Sequence, residues 1–236
     1  MHHVVVERWS RHQSLLHARD ARAKLLALLV FLVAVSTTPI SSQKAFGAYA
    51  VLVLAAVLLS RLPTRALLTR AAFVLPFSAT FALITWLAGE PMRALALAEK
   101  SFLSGLAVLL LVATTPIAQL LGALESLGVP RPLILVVQFL YRYLFVISEQ
   151  AQHMRLAALC RQGPGRARRS RFHAAAGALG VLFARSWERA DGIYHAMVSR
   201  GFRGHFSALA PARFRMADLA FLSVAAAASL AIRLAL

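Results

Sequence analysis

The chain has 236 residues, of which 59% are hydrophobic and only 15% are charged. Soluble domains are about 45–50% apolar and about 25% charged, so this composition excludes an ordinary water-soluble domain. The net charge of +17 could indicate a nucleic-acid-binding protein, but the basic clusters lie between apolar stretches, as in membrane proteins. We therefore expect membrane lipid, and no nucleic acid, around this chain.

Five apolar segments approach the length of about 20 residues that a helix needs to cross a bilayer. Basic residues precede the first segment and follow the second, so the positive-inside rule predicts a cytoplasmic N-terminus. The N-terminal stretch shows no cleavable signal pattern. Pro76 lies within the third segment, where neighbouring helices can satisfy the carbonyl that it frees. In chain order the segments are residues 23–40, 45–60, 71–88, 102–118 and 217–232.

The region between the fourth segment and the last has a different pattern. Its arginines run from Arg155 to Arg215 with only Glu188 and Asp191 to oppose them, which favours the cytoplasmic side. A short amphipathic helix is predicted over 117–127, and a longer, apolar one includes 133–147. Arg142 interrupts the longer helix and should face protein or water, because a charge facing lipid is costly.

A second long amphipathic helix is predicted further along this region. Its apolar residues fall on a wedge of about 140° at 100° per residue, and we expect a crossing helix to cover this wedge. Turn-forming stretches at 128–130 and 163–165 separate the helices. The wedge consists of Leu179, Leu182, Phe183, Trp187, Ala190, Tyr194 and Met197.

The predicted architecture is an all-α membrane protein with about five transmembrane helices and a cytoplasmic set of crossed amphipathic helices. No repeat with a period of 20–50 residues interrupts it, so one domain over 1–236 is the simplest organisation. Membrane helices one to four lie within 18–116, the amphipathic helices within 117–213, and the last membrane helix within 214–236.

No residue pattern predicts catalysis or a resident cofactor. The chain lacks the GxxxxGK[ST] loop that binds ATP, and its histidines and lone cysteine form no array with metal-ligand spacing. Asp218 and Arg233 are expected near the ends of the last span, where a charge can reach water. At the N-terminus, a weak metal chelate by His2 and His3 stays open beside a simple solvated terminus.

Two predicted helix ends carry an arginine next to small residues. Cys160-Arg161-Gln162-Gly163 closes one helix, and Ser199-Arg200-Gly201-Phe202 closes the next. The simplest interpretation is that each arginine stabilises the negative end of a helix dipole. The alternative is that each guanidinium enters an acidic cleft of a partner and forms forked hydrogen bonds with carboxylates.

Several motifs in order make the chain similar to the T component of energy-coupling factor (ECF) importers, and specifically to its cobalt-type CbiQ branch. The similarity extends nearly end to end. Residues 18–26 resemble the family's DPRAKLL stretch, with Ala21 where proline is usual. The other matches are TTP…LL.AL..LG.P at 114–130, YRYLF at 141–145, and RS.ERA…AM..RGF at 185–202.

The resemblance implies a non-catalytic scaffold and energy-coupling subunit of an ATP-driven cobalt importer in the bacterial cytoplasmic (inner) membrane. The amphipathic helices are then coupling helices, whose two arginine motifs, each flanked by small residues, insert into the ATPases. Ser199, Arg200 and Gly201 match the second motif in full. Cys160 and Arg161 supply the first, with Gly163 one position later than the pattern.

The partners that the resemblance implies are two CbiO-like ATPase subunits and a CbiM-like substrate-binding membrane subunit, with or without a small CbiN-like subunit. The metal is held by the substrate-binding subunit. Two alternatives stay open at this point. One is the same role in a nickel importer, and the other is a membrane enzyme whose arginines hold a phosphorylated lipid.

Overall fold

A computed structural model describes Ser14 and residues 16–40, 42–161, 168–204 and 214–235. These described residues form α-helices and one turn of 3-10 helix, with no strand among them, so the predicted all-α class is confirmed. The helices are α1 (Ala21–Thr37), α2 (Gln43–Ser60), α3 (Thr64–Ala71), α4 (Leu75–Leu87), α5 (Pro91–Thr114), α6 (Ile117–Ser126), α7 (Arg131–Arg161), α8 (Arg168–Ser199) and α9 (Met216–Ala235).

The helices belong to two compact units. The membrane unit lies within 1–127 and 211–236, and the arginine-rich unit lies within 128–210. The short helix α6, which the sequence pattern groups with the amphipathic helices, packs against α1 and belongs to the membrane unit. Gly128 follows α6 with a positive φ of 99°, a conformation that glycine adopts without strain.

In the membrane unit, α5 packs against α1, α2, α3 and α4, and α9 packs against α1 and α2. Helix α2 shows why these contacts form, because its buried residues recur at helical spacing on one face. The opposite face of α2 is also apolar yet exposed, as a lipid-facing surface should be. The buried face consists of Ala45, Phe46, Tyr49, Val53 and Val57, and the exposed face includes Val51, Leu54, Leu58 and Leu59.

Four described helices, namely α2, α5, α7 and α9, are long and apolar enough to cross a membrane. Helices α3 and α4 add a fifth candidate if the bent pair is counted as one span. Helix α1 has 17 residues, which is near the lower limit for a span. Each of the five predicted segments is therefore mostly helical, although the fourth ends at Thr114 instead of Ala118, and the chain is a multi-pass membrane protein. Helix α7 meets the same criterion although its sequence places it in the amphipathic region, because its first half is apolar.

The third predicted segment is broken rather than continuous. Pro76 has no N–H to donate to the Ala72 carbonyl, and the Leu75 N–H donates to that carbonyl instead, closing a turn of 3-10 helix over Ala72–Val74. The axes of α3 and α4 differ by 48° across this break. Proline in this segment is tolerated, as expected, but it ends one helix and begins another.

Helices α7 and α8 of the arginine-rich unit pack against each other as an antiparallel pair. Residues 139–143 of α7 lie beside residues 193–203, and residues 150–161 lie beside residues 174–185. The sequence predicts that a crossing helix covers the apolar wedge of α8, and this prediction is wrong for most of the wedge. Leu179, Phe183, Trp187 and Tyr194 are 56% to 71% exposed. The half-buried residues of α8 lie on a face that overlaps the wedge only at Leu182 and Met197, and they are Ala178, Leu182, Ser186, Ile193 and Met197.

Candidate functional site

The end of α8 is closed by its own backbone. The Phe202 N–H donates to the Met197 carbonyl at 3.0 Å, and the Gly201 N–H donates to the Val198 carbonyl at 2.9 Å. Gly201 has a φ of 79°, so the two bonds form a Schellman motif with glycine at its left-handed position. The Ser199 hydroxyl donates to the His195 carbonyl at 2.8 Å and occupies one more carbonyl of the last turn.

Because the backbone closes the end of α8, the Arg200 side chain is not needed to cap it. The Arg200 side chain is exposed and forms no hydrogen bond or ion pair with any residue that the structure describes, and only its backbone N–H donates, to the Met197 carbonyl at 3.1 Å. Backbone donors already satisfy the carbonyls at the end of α8, so Arg200 is not needed there as a hydrogen-bonding cap, while its charge still lies at the negative end of the helix dipole. The guanidinium keeps all five of its N–H donors available to a partner.

The first arginine motif lies at the end of α7. Arg161 is the last residue of that helix, and both Arg161 and Cys160 are exposed. Gln162 and Gly163 lie outside the described residues. Arg161, like Arg200, is not paired with any described residue.

Each motif arginine opens onto a cavity between α7 and α8. Arg200 lines a cavity of about 500 Å³ together with Arg142 and the rings of Phe139 and Tyr143. Arg203 lines this cavity as well. Arg142 therefore faces a cavity between two helices, in agreement with the prediction that it faces protein or water.

The second cavity lies at the opposite end of the helix pair. Its volume is about 630 Å³, and Arg161, His153 and Arg185 line it. A rise of about 1.5 Å per residue places about 28 Å of helix between Arg142 and Arg161. The two arginine motifs are thus brought to separate sites and not to one.

The chemistry that the side chains of these sites can offer is the binding of anions. Guanidinium groups form forked hydrogen bonds with carboxylates, and the helix pair supplies such groups at both ends. Among the residues that the structure describes, no group of three or more His, Cys, Asp or Glu side chains is placed to hold a metal ion. The suggested chelate of His2 and His3 lies outside the described residues.

The membrane unit contains a polar cluster that the sequence interpretation missed. Lys24 is only 5% exposed, and its Nζ donates to the Thr114 carbonyl at 3.0 Å and to the Thr115 hydroxyl at 3.4 Å. Lys24 of α1 therefore caps the end of α5, whose last carbonyls have no partner within their own helix. The bond joins the stretch at 18–26 to the TTP stretch at 114–116, two of the motifs found in the sequence.

Asp218 belongs to the same cluster and corrects a second expectation. It is only 3% exposed, so its carboxylate does not reach water from the end of the last span. One carboxylate oxygen accepts from the Asp20 N–H at 3.1 Å and the other accepts from the Arg215 N–H at 2.9 Å. Asp218 thereby ties the beginning of α9 to the beginning of α1. Its place in the first turn of a helix was the available signal, because acidic side chains there bind free N–H groups.

A second lysine forms the reciprocal contact at the C-terminal end of α1. Lys100 of α5 donates to the Ser36 carbonyl at 2.9 Å and to the Thr38 carbonyl at 2.8 Å. Lys24 of α1 caps α5, and Lys100 of α5 caps α1. This exchange is possible because the two helices are antiparallel, and it fixes them against each other along their length.

Three relatives share part of this sequence. A protein of Rhodobacter capsulatus named cobalt transport protein CbiQ is 29% identical over 119 residues, which are 50% of this chain and 48% of the relative. Two uncharacterised proteins of Methanocaldococcus jannaschii are 28% and 31% identical over 109 and 103 residues, which are 46% and 43% of this chain and 37% and 38% of those relatives. The chain thus matches less than half the length of each of these relatives.

The family comparison covers more of the chain. The family model of the CbiQ cobalt transport proteins matches residues 12–209, which include both arginine motifs, both cavities and the polar cluster as far as Thr115. A match over this much of the sequence settles the family. The chain belongs to the CbiQ family of cobalt transport proteins.

Proposed function

We propose that this chain is the membrane scaffold and energy-coupling subunit of an ATP-driven ECF importer for cobalt ions. The observation that carries the proposal is the unpaired, exposed Arg200 at the end of α8. A folded chain gains little from holding a guanidinium in this way, whereas a carboxylate-lined groove on a partner would bind it strongly. The chain itself performs no catalysis in this proposal, because the partner subunits hydrolyse ATP.

The partners are two CbiO-like ATPase subunits, one for each arginine motif. The antiparallel pairing of α7 and α8 puts Arg161 and Arg200 at opposite ends, which suits two separate subunits. When ATP closes the ATPases, both ends of the helix pair are moved together. Rigid helices transmit such a motion, and the membrane unit passes it to the subunit that holds the metal.

The metal-holding partner is a CbiM-like membrane subunit, with or without a small CbiN-like subunit. The exposed apolar stripe of α8 (Leu179, Phe183, Trp187 and Tyr194) is the surface that we assign to this partner. Apolar side chains in such a row are typical of a protein contact. The assembly lies in the bacterial cytoplasmic membrane, with the N-terminus and the α7–α8 pair on the cytoplasmic side.

Cobalt is the cargo in this proposal, and the substrate-binding subunit selects it. The name of the Rhodobacter capsulatus relative and the description of the family favour cobalt over nickel. Uptake by the whole complex with cobalt and nickel in competition tests this choice, and preferential uptake of nickel would contradict it.

Purification of the tagged chain from membranes that contain the whole complex tests the proposed role. We expect two ATPase subunits and a second membrane protein to accompany each copy of the chain. The chain purified without partners should show no turnover of a phosphorylated lipid. Recovery of an active lipid-modifying protein without ATPase subunits would support the alternative enzyme instead.

A further inference from the structure

Each motif arginine shares its cavity with a second arginine that comes from the other helix. We propose that Arg142 and Arg185 are the second cations of two composite docking sites, each of which holds a carboxylate of an ATPase subunit between two guanidinium groups. Arg200 of α8 is paired in this way with Arg142 of α7, and Arg161 of α7 with Arg185 of α8. The inference rests on the proposed function and adds two residues to its docking surface.

The first site has the more complete geometry. Arg142 is exposed towards the cavity that Arg200 lines, and its guanidinium carbon lies 5.9 Å from the centre of the Tyr143 ring. Stacking against an aromatic ring orients a guanidinium while its N–H groups stay free for an anion. Arg142 forms no ion pair with any residue in the described part of the chain.

The second site repeats this arrangement at the other end of the helix pair. Arg185 and Arg161 line it, together with the imidazole ring of His153. In both sites a helix-terminal arginine faces an arginine from the middle of its neighbour. The two sites therefore present similar chemistry to two similar partners.

Charge decides what these cavities can bind. Considering only the described residues, no acidic side chain lines either cavity, and the four arginines of the proposal, Arg142, Arg161, Arg185 and Arg200, form no ion pair there. Two or more unneutralised cations around one concave surface raise the local concentration of anions and attract an acidic partner. A carboxylate with two oxygens can accept from two guanidinium groups at once.

The origin of the two cations from different helices has a mechanical consequence. A carboxylate bound by Arg200 and Arg142 holds the end of α8 to the middle of α7, and the second site holds the end of α7 to the middle of α8. Docking therefore fixes both ends of the α7–α8 pair, so that ATPase closure moves the pair as one body. A single arginine per site would leave each helix end free to pivot.

The test is charge reversal in the complete complex, which contains this chain, the two ATPase subunits and the substrate-binding membrane subunit. The measurements are the retention of the ATPase subunits and the amount of cobalt taken up per ATP hydrolysed. We expect Arg142→Glu and Arg185→Glu each to lower retention at least about tenfold, because each places a carboxylate against the partner's own. Arg155→Glu on α7 and Arg189→Glu on α8 are matched controls, since both arginines are exposed and line neither cavity. Equal retention for Arg142→Glu and Arg155→Glu would overturn the inference.

Double substitutions test whether two arginines share one site. Residues that bind the same group give non-additive effects, whereas distant residues give additive ones. We expect the double variant Arg142→Glu with Arg200→Glu to retain nearly as much ATPase subunit as Arg200→Glu alone. For Arg142→Glu with Arg161→Glu, we expect the fold-loss of retention to be the product of the two single fold-losses. Multiplicative losses for the Arg142 and Arg200 pair would contradict a composite site.

Two further substitutions of Arg142 separate the effect of its charge from the effect of its forked guanidinium. Arg142→Gln removes the charge without adding an acid, and it gives the same comparison if Arg142→Glu does not accumulate in the membrane. Arg142→Lys keeps the charge but loses the fork, and we expect an intermediate loss. Arg200→Glu alone tests the proposed function, so a strong effect there with none at Arg142 rejects only the second cation.

Discussion

At the end of α8, the conformation of Gly201 determines the position from which Arg200 extends. The positive φ of Gly201 allows the two backbone hydrogen bonds that close α8. These hydrogen bonds fix where the helix ends and therefore where Arg200 lies. An L-amino acid with a side chain adopts this conformation at a cost of about 1–2 kcal/mol. The small residue after the arginine is therefore required by the backbone, besides any need for space in a partner.

Gly201→Ala tests this requirement. We expect it to weaken the helix end by about 1–2 kcal/mol, to displace Arg200 and to reduce ATPase-subunit retention. Gly192→Ala is the matched control, because both added methyl groups would meet open space but Gly192 lies within the helix, where alanine is favoured by about 1 kcal/mol. Equal retention for the two variants would show that the backbone conformation of Gly201 is unimportant.

Lys24 gives a second prediction for a single residue. Lys24→Met keeps the aliphatic stem but removes the donor, which leaves the Thr114 carbonyl and the buried Asp218 carboxylate without a nearby cation. We expect a loss of about 1–3 kcal/mol of stability, measured as a lower unfolding temperature in detergent. Lys44→Met changes an exposed lysine on α2 and should leave that temperature unchanged. A similar temperature for both variants would contradict the structural role of Lys24.

Among the elements, α8 departs most from what its sequence predicts. The apolar wedge from Leu179 to Met197 is present, but hydrophobic periodicity identifies an apolar face without identifying what covers it. The half-buried face of α8 instead contains Ala178, Leu182, Ser186, Ile193 and Met197, of which only Leu182 and Met197 belong to the wedge. The wedge is largely exposed within the chain, which moves the expected contact from a neighbouring helix to a partner subunit.

Trp187→Ala tests this account of α8. Trp187 is exposed, so we expect the unfolding temperature of the isolated chain to change by no more than about 2 °C. Retention of the CbiM-like subunit should fall, while both ATPase subunits stay bound. Glu188→Ala, next along the helix, should affect neither subunit. Full retention of the membrane partner by Trp187→Ala would reject the stripe as its contact surface.

The broken third segment shows a similar limit of sequence interpretation. Composition predicted an apolar helix over 71–88, and only its C-terminal end was correct to within one residue, because a continuous α-helix begins at Leu75. Whether a proline in a membrane segment bends a helix or ends it depends on which donor replaces the missing N–H. The Leu75 N–H replaces it here, and only the packing of α3 and α4 against α5 could determine that choice.

For the whole molecule, the apolar segments and the arginine motifs could be predicted because both are local patterns. The polar cluster could not, since Lys24, Thr114 and Asp218 are far apart in sequence, and Lys24 and Asp218 resemble ordinary charges near the ends of spans. The pairing of Arg142 with Arg200 was hidden for the same reason. The long-range partners of a charged residue can be identified only from a tertiary structure, whereas hydrophobic periodicity can be identified from the sequence.

The central claim is that Arg200 connects this chain to the ATPases that drive import. Cobalt uptake by the complete complex in liposomes, measured together with ATP hydrolysis for Arg200→Glu and for the control Arg189→Glu, tests it most directly. The account predicts that Arg200→Glu keeps the chain in the membrane but reduces uptake to background, while Arg189→Glu transports normally. Normal cobalt uptake by Arg200→Glu would contradict the account.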